Sequence, residues 1–127
     1  LEENFIEGYT VIPKFGQIGF EMAAVTLLKS KLKYETAEQK TKAIQKMKEW
    51  YMKQTNVILA LDGRGMGWDA MCISLHENFA SFADFIRAHD SELSDWVVES
   101  QTFHADLKGG IMIKPFHLKY LASLKPQ

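Results

Sequence analysis

Asp69, in the run GMGWDAMCIS at residues 65–74, is the first residue that invites a chemical reading. Gly63, Gly65 and Gly67 precede it within a few positions, interleaved with Asp62, Arg64, Met66 and Trp68. Glycine-rich backbone can take positive φ and approach a bound molecule closely. A carboxylate at the mouth of such a segment can hold an ammonium group, with N–H groups of the segment taking the matching carboxylate. The other reading is that Asp69 bonds the backbone of its own turn, as Asp commonly does. The sequence leaves both open.

Other reactive residue types form no pattern. His76, His89, His104 and His117 lie 13, 15 and 13 residues apart, without an H-x-x-x-H pair or a cysteine partner, so no metal site is expected. His76 is expected to end a strand and His104 to sit on a strand near a subunit contact. Cys72 lies in an apolar stretch and reads as an inert core thiol. As the one cysteine it excludes a disulfide framework and suits a reducing compartment, so the cytoplasm is the expected location. There is no G-x-S-x-G, no Walker sequence and no dinucleotide fingerprint; GRGMG does not fit G-x-G-x-x-G. No catalytic residue, metal or cofactor is assigned.

The bulk properties narrow the function classes. With 127 residues the chain is one domain by length. Its 15 Lys and Arg balance 16 Asp and Glu, for a net charge of −1, which makes this chain by itself a poor nucleic-acid binder. No apolar run approaches the roughly 20 residues of a membrane span, and no signal-peptide pattern opens the chain. It does not begin with Met, so a fragment or processed product is expected.

The elements that must position Asp69 follow from patterning. Residues 57–61 (VILAL) and 70–73 (AMCI) flank the glycine segment, which predicts two strands joined by a connection longer than a minimal hairpin needs, at the centre of a sheet. Residues 18–28 (IGFEMAAVTLL) read as a strand covered on both sides for much of its length. Thr36, with Gln39 three residues on, opens a helix. Ala43, Ile44, Met47, Trp50 and Tyr51 share one face of it, and Lys40, Lys42, Lys46, Lys48 and Glu49 the other. Asn78 caps a second helix, in which Phe79, Phe82, Ala83 and Ile86 share a face, ending near residues 89–92. Trp50 and Trp96 read as packing residues. Residues 96–105 form another strand, broken by Gly109 and Gly110. Residues 111–113 (IMI) are expected as a short final strand, with Pro115 starting a terminal helix bearing Leu118 and Leu121.

Strand, helix, strand, strand, helix, strand is the split βαβ order, an α+β ferredoxin-like sandwich with an antiparallel sheet and both helices on one face. The other face would be bare, and Trp, Met and Phe side chains on several strands suit a covering by a second copy, so a homodimer through the sheet is expected.

The opening, LEENFIEGYTVIPKFGQIGFE, resembles the junction in Lrp/AsnC-type transcription regulators, where a helix-turn-helix domain leads through an I-x-G-Y linker strand into the first strand of an effector-binding domain. Here Ile6, Gly8 and Tyr9 match, followed by Ile18 and Gly19. The central stretch resembles the family's short G-x-x-D element, with Asp69 in the aspartate position and Met66 where that glycine stands. The helix at residues 79–86 and the strand at residues 96–105, with Thr102, fall in the expected order. The resemblance implies that residues 1–17 are a linker strand after an absent DNA-binding domain, and that residues 18–127 form an effector-binding and oligomerisation domain. It further implies dimers that associate into tetramers or octamers, DNA contact only through the missing N-terminal domain, and an amino acid-like effector held at a subunit contact. The effector residues would be Gly65, Met66, Gly67, Trp68, Asp69 and Thr102.

Two rival readings predict different things. A small dimeric ferredoxin-like barrel enzyme of the monooxygenase type would have a cavity inside one subunit with His104 or His76 as the working residue. A ligand-free dimerisation module would bind no metabolite.

Overall fold

A computed structural model describes residues 18–116, in the order β1 (Met22–Ser30), α1 (Ala37–Lys53), β2 (Val57–Gly65), β3 (Trp68–His76), α2 (Phe79–Glu92) and β4 (Val97–Asp106). The expected linker strand at residues 1–17 and the terminal helix with Leu118 and Leu121 lie outside these residues. The four strands form one antiparallel sheet in the order β2-β3-β1-β4, which is the ferredoxin-like arrangement. The central strands are therefore β3 and β1. The β2–β3 hairpin was expected at the sheet centre, but its first strand stands at an edge, because β1 inserts between β3 and β4.

Local chemistry fixes the helix starts. Thr36 Oγ1 accepts from the Gln39 N–H at 3.1 Å, while the Gln39 side chain accepts from the Glu35 N–H, one residue earlier than a reciprocal capping box. Asn78 Oδ1 accepts from the Ser81 N–H at 2.8 Å and starts α2. Both helices lie on one face of the sheet. Ala43 and Trp50 from α1 meet Phe82 and Phe85 from α2, over Met22, Ala24 and Leu28 of β1 and Ala70 of β3. Trp50 sits 5.6 Å from Phe85, centroid to centroid, at the middle of this core. The buried stripe on α2 is Phe82, Phe85 and His89; Phe79, placed on that stripe by the sequence, is 63% exposed and only rims it.

Side chains of β1 alternate between buried (Met22, Ala24, Thr26, Leu28) and half-buried (Ala23, Val25, Leu27), so the strand is fully covered on the helix face alone. This corrects the expectation of a strand enclosed on both sides. On the open face, cross-strand register groups Val25 with Ile73 and Phe103, and Leu27 with Met71; Leu59 and Leu61 join Ile73 and Met71 from the edge. Phe103 is 70% exposed. At the end of β4 the Asp106 carboxylate accepts from the N–H groups of Lys108 and Gly109, which holds its pKa below the ordinary value. A Cβ at Gly110 would collide with the Asp106 carbonyl, so glycine is needed for this turn. Residues 111–113 form no strand: none of the described residues pairs with them, and β-branched residues make a strand only against a partner.

Candidate functional site

The glycine segment is shorter than a loop. Strand pairing continues to Gly65 opposite Trp68, leaving Met66 and Gly67 as a two-residue turn with φ of 53° and 84°. Two successive positive φ values are the signature of a type I′ hairpin, whose twist matches that of the strands. The expected long connection is thus absorbed into β2 and β3, and glycine is required at the turn rather than along a cradle. Met66 is almost wholly exposed at the tip. Trp68, beneath it, carries the Lys29 ammonium 5.0 Å from its ring centroid, and Lys29 also pairs with Glu99 at 3.6 Å.

Asp69 bonds neither its own turn nor an open space. Its carboxylate receives the Ser30 N–H at 3.0 and 3.2 Å and the Ser30 hydroxyl at 2.8 Å, which ties the last residue of β1 to the first turn of β3. It also lines a groove of about 760 Å³ between α1 and the β2–β3 hairpin. Thr102 is elsewhere: it lies opposite Thr26 on the helix face, with its hydroxyl 3.1 Å from that of Thr26, in mid-sheet. Within one subunit the fold brings Gly65, Met66, Gly67, Trp68 and Asp69 together at one end of the hairpin and leaves Thr102 apart from them.

A buried polar chain runs between helices and sheet. The Tyr51 hydroxyl lies 2.6 Å from His89 Nε2, and His89 Nδ1 lies 3.0 Å from Asp90 Oδ1. His89 is fully buried, and burial pushes its pKa down against the opposing pull of Asp90. Burial pushes the Tyr51 phenol up, with Cys72 and Asp90 adding to it. Nearby, His76 Nε2 lies 2.7 Å from Ser74 Oγ, and its Nδ1 lies 3.3 Å from Asn56 Nδ2. Its pKa is lowered by burial and then by the charge of His104. His76 ends β3 as expected; His104 projects from β4 toward the helices and meets Phe82 edge to face at 4.5 Å. Cys72 is a free, fully buried thiol whose pKa burial raises. The sequence reading missed the Tyr51–His89 pair, although His89 continues the Phe82–Phe85 spacing of α2 and so was legible as a core position. Among the described residues no group of His, Cys, Asp or Glu is arranged to hold a metal.

No protein-family model matches the chain, and no curated protein matches it. Solved structures do. An AsnC family transcriptional regulator from Agrobacterium tumefaciens superposes with a TM-score of 0.67 at 11% identity, over 94% of this chain and 72% of that one. A transcriptional regulator from Neisseria meningitidis, solved in complex with L-Met, gives 0.67 at 15% identity over 94% and 71%. Escherichia coli AsnC gives 0.62 at 12% identity over 90% and 69%. At such identities the likeness is one of fold. The described residues have the ferredoxin-like fold of these AsnC/Lrp-type transcription regulators.

Proposed function

We propose that this chain is the ligand-sensing and oligomerisation domain of a transcription regulator of the Lrp/AsnC type. It pairs with a second copy through the open face of its sheet and binds an amino acid or related metabolite near residues 63–69 at a subunit contact. The observation that carries this reading is the sheet face that no helix among the described residues covers, where Val25, Leu27, Leu59, Leu61, Ile73 and Phe103 gather on one side. Contiguous exposed apolar surface of this kind marks an association site. The fold shared with AsnC/Lrp regulators, one of them solved with L-Met, supports the effector class. DNA contact would then fall to a separate domain, in keeping with the near-neutral charge of this chain.

The hairpin tip stands at the end of the sheet, so a copy docked on the open face would place its own residues beside Trp68 and Asp69. A ligand seated there acts by its differential affinity for two assembly states. Sedimentation equilibrium at micromolar concentration should show a dimer, and a thermal-shift screen of the twenty amino acids should find at least one that raises the melting temperature or changes the oligomer. A monomer at all concentrations, together with a silent screen, would reject the proposal.

A further inference from the structure

The groove between α1 and the β2–β3 hairpin belongs to a single subunit and has a charge pattern that the reading above does not use. Lys40, Ile44, Met47, Lys48 and Tyr51 of α1 line one wall at i, i+4, i+7, i+8 and i+11, a single stripe of the helix. Lys40 and Lys48 stand about 12 Å apart along the axis, at 1.5 Å per residue, with apolar side chains between them. Arg64 of β2 and Lys31 line it as well. Four cationic side chains thus line the groove against two carboxylates, Asp62 and Asp69, and both oxygens of Asp69 are already engaged by Ser30. Among the described residues Lys40, Lys48 and Arg64 have no ion-pair partner. Tyr34, also on the wall, has a hydroxyl shielded from water and without a hydrogen-bond partner among the described residues. A shielded hydroxyl left unpaired is costly to the fold.

We infer that this groove binds an elongated organic dianion of metabolite size, its acidic groups toward Lys40 at one end and Lys48 at the other and its apolar body over Ile44 and Met47. The volume, about 760 Å³, is that of small-molecule sites. The site is complete in one subunit, so it needs neither the dimer nor the amino acid proposed above. Carboxylate and phosphate share the recognising chemistry, and the probes separate them.

Amide resonances of the chain would be followed near pH 6 on titration with suberate, with octane-1,8-diphosphonate and with neutral 1,8-octanediol. At least one dianion should shift residues 40–51 and 60–64, and the diol should not; the dianion that binds tells which acid the groove prefers. Binding should weaken at least tenfold in the double variant Lys48→Gln with Arg64→Gln, both exposed positions, with unliganded spectra unchanged. Silence with both dianions, undiminished binding by the double variant, or equal binding of the diol would overturn the inference.

Discussion

Asp69 shows how one carboxylate can be structural while standing beside a groove. With three bonds to Ser30, it holds β1 to β3 where the sheet would otherwise fray. Bonds to a charged acceptor each contribute on the order of 1.5–3 kcal/mol, and the loss leaves the Ser30 N–H unpaired. Asp69→Ala should therefore lower the unfolding free energy by about 2–3 kcal/mol in urea titration, and Asp69→Asn by less. An effector role for Asp69 is best tested in the Asn variant, since the Ala variant confounds binding with stability. His89 and His76 supply a second test. Their folded pKa values lie below the ordinary 6.5, so between the folded and unfolded values the unfolded chain binds more protons. Stability is fully present above about pH 6.5 and declines as pH falls through the folded values, with a slope of at most about 1.4 kcal/mol per pH unit for each histidine. Urea midpoints from pH 8 down to pH 4.5 would show this; midpoints flat from pH 7 to pH 5 would contradict it.

For the elements, the hairpin turn is the place where the sequence is least suited to its geometry. Met66 holds φ of 53°, a region that costs a side-chain-bearing residue about 1–2 kcal/mol, and Asn tolerates it much better. Met66→Asn, giving the favoured pair with Gly67, should raise stability by about 0.5–1 kcal/mol, read as an upward shift in the thermal midpoint. Between helix and sheet, Tyr34 gives the opposite case. Removing its unpaired hydroxyl in Tyr34→Phe should leave the unliganded chain as stable or more stable by up to about 1 kcal/mol.

Across the whole molecule, the two sheet faces differ in kind. One carries the helices and a core that includes polar groups satisfied by one another: Thr26 with Thr102, Ser74 with His76, Tyr51 with His89. The other is apolar and carries no helix among the described residues. Charge placed on the open face should prevent association without disturbing the fold, since Phe103 touches solvent over most of its surface. Phe103→Glu combined with Leu61→Lys should sediment as a monomer with an unchanged far-ultraviolet spectrum, where the parent chain, on the proposal above, should sediment as a dimer. A double variant that still dimerises would move the contact off this face.

Periodicity alone determined the element order, both helix N-caps and the buried placing of Cys72, because these depend on residues within a few positions of one another; it set Lys40 and Lys48 opposite Ile44, Met47 and Tyr51, whereas all five line one groove. Local pattern also foretold that β4 would stop at the glycine pair. The sheet order was decided only in three dimensions: which strand lies between which others depends on pairings across dozens of residues, and so β2 came out at an edge. The same holds for Asp69, whose partner Ser30 is 39 residues away, and for Tyr51 and His89, which 38 residues separate. The extent of the turn, too, was set by the register of β2 against β3, since glycine permits both a long loop and a continued strand and only cross-strand pairing chooses between them.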